Sequence, residues 1–292
     1  MKQKLTGTGV ALVTPFLKDG QIDFKGLSKL VNHVIVGGVN YLVSLGTTGE
    51  SSTLSKREKQ EVLSFTVDCS SGKVPIVAGI GGNNTSLVIN DLKSMNLNGV
   101  SAILSVSPYY NKPSQEGIYR HYEALSKASP LPIILYNVPG RTSSNLSAET
   151  TLRLANNFSN IIGIKEASGN IVQCMEIVRK RPEGFLVISG EDALTLPMMS
   201  FGMDGVISVI ANLYPDIYSD MVNLAALGQF GQAKALHFKL LPLIDLIFRE
   251  GNPPGAKAGL ELLGICSSYL RLPLSKISDA LNSSIKQCIK QI

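Results

Sequence analysis

A lysine closing an apolar run is the chemically most consequential feature of this sequence. Lys165 ends the stretch Ile161-Ile162-Gly163-Ile164-Lys165. A short, continuously apolar run reads as a parallel strand buried on both faces. Side chains alternate along a strand. With Ile162 and Ile164 turned outward, Gly163 and Lys165 face inward, and the small Gly163 is expected to leave room beneath the lysine. Burial strips an amine of water, favours its neutral form and makes it a nucleophile toward carbonyls. The competing reading is a lysine that snorkels out at a strand end or pairs with Glu166 beside it. Spacing alone leaves both open.

Three other groups have types suited to the same chemistry. Tyr136 ends the preceding apolar run, so its hydroxyl is within reach of the same space and suited to moving protons during imine formation. Taken alone, the position fits a packed aromatic with a satisfied hydroxyl better. Thr47 and Thr48 lie in a glycine-flanked turn, Gly46-Thr47-Thr48-Gly49, whose hydroxyls and amides suit a small carboxylate or simply make the turn. Arg141 follows Pro139-Gly140 in what reads as a rigid loop. A guanidinium there suits bidentate carboxylate binding or an ordinary solvated position.

Other chemistries find little support. Gly79-Ile80-Gly81-Gly82-Asn83 lacks the spacing and the acidic partner of a dinucleotide loop and reads as a tight turn. His33, His121 and His237 are scattered, each expected on a helix surface or flank, so no metal site is expected. Cys69, Cys174, Cys266 and Cys288 form no C-x-x-C pair and read as reduced thiols, as in a cytoplasmic protein. The net charge of +5 comes from acids and bases mixed along the chain, without the basic stripe that nucleic acid requires. Residues 1–8 are polar, with no signal-peptide core, and no apolar run is long enough to span a bilayer.

The elements that must position these residues are legible in the same pattern. Eight apolar runs recur: Val10–Val13, Tyr41–Ser44, Ile76–Ile80, Ala102–Val106, Ile133–Tyr136, Ile161–Lys165, Leu186–Ser189 and Gly205–Val209. Amphipathic segments alternate with them. Phe24–Val36 carries Leu27, Leu30, Val31 and Val34 at helical spacing. Ser55 and Glu58 fit a capping box that opens another helix. Ser147–Ala155 and Ile171–Arg179 are also helical. Eight strand–helix alternations predict an α/β fold, a (β/α)8 TIM barrel, rather than a doubly wound sheet. Residues 1–214 would hold the barrel strands and the catalytic site. Residues 215–292 would form the last barrel helix and a helical C-terminal extension, interrupted at Gly251–Gly255 and Pro273.

Barrel active sites lie at the C-terminal ends of the strands. Those ends carry Gly46-Thr47-Thr48-Gly49-Glu50, Pro108-Tyr109-Tyr110-Asn111, Tyr136-Asn137-Val138-Pro139-Gly140-Arg141, Lys165-Glu166 and Gly190-Glu191-Asp192. Four of these stretches, Gly46 to Ser51, Pro108 to Ser114, Tyr136 to Pro139 and Gly163 to Ala167, resemble the dihydrodipicolinate synthase branch of the N-acetylneuraminate lyase family of class I aldolases. The resemblance covers essentially the whole chain. It implies that Lys165 forms an imine with pyruvate and that Tyr136, Thr47 and Tyr110 relay protons, Tyr110 reaching in from a neighbouring subunit. It also implies that Thr48 and the backbone at Ile207 hold the pyruvate carboxylate and that Arg141 binds the carboxylate of aspartate semialdehyde. No cofactor is implied, because the protonated imine is itself the electron sink. A homotetramer built as a dimer of dimers is the implied assembly. Sialic-acid and 2-keto-3-deoxy sugar acid aldolases share the lysine, the tyrosine and the threonine turn. Arg141 favours a small charged aldehyde over a polyhydroxylated chain.

The sequence departs from the family pattern in several places. Gly255 replaces the second proline of an N-P-x-P-x-K signature, Asn252 to Lys257, which as part of the extension is expected to lie apart from catalysis. Ser143 stands where glycine is common. Lysine-inhibited members bind lysine at a dimer interface through a glutamate and histidines. Asn83 and Tyr109 match the asparagine and tyrosine of that site, but Leu87 replaces the glutamate and Lys56 and Lys59 replace the histidines. Insensitivity to lysine is the expectation.

Overall fold

Each of the eight apolar runs forms a strand, because each can be covered on both faces at once. The computed structural model describes residues 5–292; residues 1–4 of the polar N-terminal stretch, where no signal peptide is expected, lie outside the described residues. The strands are β1 (Gly7–Ala11), β2 (Tyr41–Ser44), β3 (Ile76–Gly79), β4 (Val100–Val106), β5 (Ile133–Asn137), β6 (Ile161–Glu166), β7 (Leu186–Ser189) and β8 (Gly205–Ser208). They pair in parallel in chain order, and β8 closes onto β1 through Gly7–Gly205 and Gly9–Ile207. Among the described residues, nine α-helices come between and after the strands: α1 (Phe24–Val36), α2 (Lys56–Ser70), α3 (Thr85–Ser94), α4 (Gln115–Ala128), α5 (Pro139–Thr142), α6 (Ala148–Asn157), α7 (Ile171–Lys180), α8 (Thr195–Ser200) and α9 (Pro215–Ala226). Three more make the C-terminal extension: α10 (Phe230–Phe248), α11 (Pro254–Leu262) and α12 (Asp279–Ile289).

The core has two layers. Tyr41, Val43, Leu104, Ile134 and Ile188 fill the barrel interior. Ile103, Leu135, Ile164 and Val187 face outward into a larger cluster beneath the helices. This two-sided burial explains why the strands read as continuous apolar runs. The capping box is present: the Glu58 amide donates to Ser55 Oγ at 3.2 Å, and the Ser55 amide to Glu58 Oε2 at 2.8 Å.

Three expectations are corrected. Strand β1 starts and ends earlier than Val10–Val13. The Leu12 amide still donates to Val43, but the Val13 amide turns to Asn212 Oδ1, so the chain has left the ladder there. In β6, Ile161 faces Ile133 and Gly163 faces Ile134, leaving Ile162 as the extra residue of a bulge. Ile162 therefore joins the barrel interior instead of the outer layer. Ile164 and Lys165 keep the facing expected of them. The third correction concerns histidine: His121 and His237 are buried, and burial pushes the His121 imidazole down to about 4.

Among the described residues no helix is long and apolar enough to cross a membrane, and no cluster of three or more His, Cys, Asp or Glu is arranged to hold a metal ion.

Candidate active site

Strands β5 and β6 bring the lysine and the tyrosine together. Tyr136 and Lys165 are direct register partners, both buried, with Lys165 Nζ 4.4 Å from the tyrosine ring centroid. Glu166, one residue on, points to the other face. Its carboxylate accepts from Asn137 Nδ2 at 3.0 Å, the Ser168 amide at 2.8 Å and Gln173 Nε2 at 2.8 Å. Lys165 makes no ion pair with it, so the pairing alternative falls. The space beside the lysine comes from Gly190, not Gly163. A Cβ at Gly190 would lie 2.9 Å from Lys165 Cε, whereas one at Gly163 would strike Leu186.

Lys165 opens into a cavity of about 340 Å³ shared with Tyr136, Thr47, Thr48 and Arg141. Thr47 and Thr48 sit in a single 3-10 turn, Thr47–Gly49, after β2. Arg141 is carried by the one-turn helix α5, started by Pro139, rather than by an irregular loop. Ser143 ends that turn at φ 54°, a left-handed conformation that explains why glycine suits the position.

The C-terminal extension also takes part, contrary to expectation. Asn252 lines the cavity and donates from Nδ2 to Thr48 Oγ1 at 2.9 Å. Its carbonyl lies 3.5 Å from Arg141 Nη2. Directly after the threonine turn, Glu50 pairs with Lys257 of α11 at 2.5 Å, both side chains fully buried. Gly255 allows α11 to start there, since a Cβ on it would lie 2.2 Å from the Ile247 carbonyl oxygen.

The family model described as the dihydrodipicolinate synthetase family matches residues 4–292. The chain belongs to that family. It is 52% identical over 290 residues to the 4-hydroxy-tetrahydrodipicolinate synthase of Flavobacterium psychrophilum, covering 99% of each chain. It is 49% identical to the enzyme of that name from Parabacteroides distasonis, covering 99% of this chain and 97% of that one. A crystal structure of the chloride-inhibited dihydrodipicolinate synthase of Acinetobacter baumannii with pyruvate superimposes with a TM-score of 0.95, at 40% identity and 98% coverage of both chains.

Two residues expected from the family pattern stand apart from the cavity within this chain. Tyr110 is 88% exposed, at φ 73°, and does not line it. Ile207 lies one layer lower, in the barrel interior, and Val209 lines the cavity in its place. A second cavity of about 330 Å³ adjoins the first across Thr47 and Arg141, and takes in Tyr109 and Lys59. Lys56, Asp91 and Leu87 do not line it: Lys56 pairs with Asp91 at 3.2 Å, and Leu87 is exposed.

Sequence reasoning placed Glu191 at a strand end but gave it no part. Glu191 lines the main cavity. Burial, reinforced by the neighbouring Asp192, raises the pKa of its carboxyl, against the pull of Lys165 and Arg141. The adjacent Asp192 is turned away and accepts the Val209 and Ile210 amides at 3.0 and 2.8 Å.

Proposed function

We propose that this chain condenses pyruvate with L-aspartate 4-semialdehyde to 4-hydroxy-tetrahydrodipicolinate through a Schiff base on Lys165. The observation that carries this reading is the buried Lys165 amine, bonded to no carboxylate and facing Tyr136 at the floor of a strand-end cavity. The amine adds to the ketone of pyruvate, and loss of water gives the imine. Tyr136 and Thr47 move the protons. Thr48 holds the pyruvate carboxylate, with the backbone at the end of β8 below it. Removal of a methyl proton gives an enamine that attacks the aldehyde held by Arg141. The substrate amine then closes onto the imine carbon and releases Lys165. Tyr110, exposed after β4, fits a role across a subunit interface, which supports a working unit of at least a dimer, as in a homotetramer built from dimers. The biosynthetic role fits a cytoplasmic enzyme.

A coupled assay with pyruvate and aspartate semialdehyde should show turnover, and sialic acid should not be cleaved. Arg141→Ala should lower kcat/KM for the aldehyde about 10- to 100-fold, the loss of one charge-assisted carboxylate contact of about 1.5–3 kcal/mol. It should weaken trapping of pyruvate much less. Equal weakening of both would give Arg141 a structural role.

Insensitivity to lysine rests on Leu87, Lys56 and Lys59, of which Lys59 lines the second cavity. Leu87 offers no acceptor to an ammonium group, and Lys59 adds positive charge beside Tyr109. Like charges about 4 Å apart repel by roughly 1 kcal/mol in water and 4 kcal/mol near a protein surface. Lys56 contributes less than its charge suggests, because Asp91 neutralises it. Titrating lysine at sub-saturating pyruvate should leave activity intact through the millimolar range. Sub-millimolar inhibition would refute the assignment.

A further inference from the structure

We infer that Glu191 binds the α-ammonium group of the aldehyde substrate and accepts a proton from it before ring closure. The inference rests on the reaction proposed above and assigns that reaction a further residue.

Glu191 follows β7, and its backbone is pinned. Its amide donates to Ser189 Oγ at 3.2 Å, and its carbonyl accepts from Thr195 Oγ1 at 2.9 Å. The side chain therefore starts from a fixed point, yet its carboxylate has no hydrogen-bond or ion-pair partner among the described residues. It is the only acidic side chain of the described residues that lines the main cavity. Asp192 is occupied by the amides after β8. The other charged groups there are Lys165 and Arg141.

Two cations and one free acid complement what the site must hold. The adduct carries two carboxylates and one ammonium. Arg141 follows β5 and Glu191 follows β7, on opposite sides of the strand that bears Lys165. An α-carbon lying between them presents its carboxylate to one and its nitrogen to the other. Ring closure needs that nitrogen as a free amine. The ammonium gives one proton to the Glu191 carboxylate. The freed lone pair forms the new C–N bond at the imine carbon, and the imine π electrons move to the Lys165 nitrogen. A proton passes from the new ammonium to that nitrogen, the C–N bond to Lys165 breaks, and the product forms its own C=N bond. Glu191 returns its proton to the departing lysine. Burial, which makes the carboxylate more basic, suits it to this exchange.

Glu191→Gln keeps the size and removes the charge, and Glu191→Asp keeps the charge on a shorter stem. The probes are aspartate semialdehyde and succinic semialdehyde, which has the same aldehyde and carboxylate but no amine. In Glu191→Gln, kcat/KM for aspartate semialdehyde should fall by about tenfold or more, as for loss of a charge-assisted hydrogen bond. Inhibition by succinic semialdehyde and borohydride trapping of pyruvate should move far less. Glu191→Asp should recover part of the loss. Equal weakening of both aldehydes, or no weakening of either, would overturn the assignment of Glu191 alone. Unmodified protein that fails to turn over pyruvate and aspartate semialdehyde would overturn the proposed reaction and this role together.

Discussion

Lys165→Ala is expected to reduce turnover on the order of 10⁴-fold or more, because it removes the covalent nucleophile and nothing replaces it. Lys165 is the only lysine among the described residues lining the main cavity. Lys59 lines the neighbouring one but stands on the helix outside the barrel mouth. Pyruvate with borohydride should therefore modify one site in the unmodified protein and none in Lys165→Ala. Reduced alkylation also blocks tryptic cleavage after Lys165. The adduct should appear in a single uncut peptide spanning residues 154–179, bounded by Arg153 and Arg179. An adduct on Lys59 would move the chemistry to the second cavity. The variant should stay folded, since Lys165 makes no ion pair and its removal leaves no buried charge without a partner.

Lys165 is legible because a charge closes a run, Ile161 to Ile164, that is otherwise apolar. The barrel was legible for the same reason: parallel strands covered inside and out carry one continuous signal. The bulge at Ile162 is hidden in the sequence, because a bulge breaks alternation without any mark in residue type. Family motifs named Thr48 and Arg141, but not what holds them. Asn252 meets Thr48 across 204 positions of chain, and Arg271 meets Glu50 across 221. Contacts at that separation leave no local periodicity to read. The signature Asn252 to Lys257 is visible in the sequence, but its place in the extension gives no sign that it meets the strand ends. In the fold, the extension crosses back over the strand ends. Glu191 was visible at a strand end, but a lone carboxylate is usually solvated, and only the cavity distinguishes it.

Lys257→Met is expected to destabilise the protein by about 3–5 kcal/mol, the usual consequence of leaving one member of a buried ion pair behind. Glu50 and Lys257 are both fully buried and 2.5 Å apart. Lys257 also donates to the Tyr269 carbonyl at 2.8 Å and stands 4.2 Å over the Phe16 ring. Methionine can fill the stem's volume, but it gives Glu50 no counter-charge. The Arg271 amide at 3.2 Å would be the remaining donor to that carboxylate. A fall in Tm on the order of 10 °C follows at this chain length. Glu50→Gln combined with Lys257→Met should recover a large part of the loss, because no buried charge then lacks a partner. The pair has a functional side as well. Glu50 sits at φ 51°, directly after the turn that carries Thr47 and Thr48. Lys257 ties that strained residue to the same segment whose Asn252 bonds Thr48. The double variant, although restabilised, should therefore still need more pyruvate for half-maximal borohydride trapping, because the threonine turn has lost its anchor. Recovery of stability together with unaltered trapping would make the pair purely structural. A Lys257→Met variant as stable as the unmodified protein would mean that water reaches Glu50 and that the pair is not closed off as the structure has it.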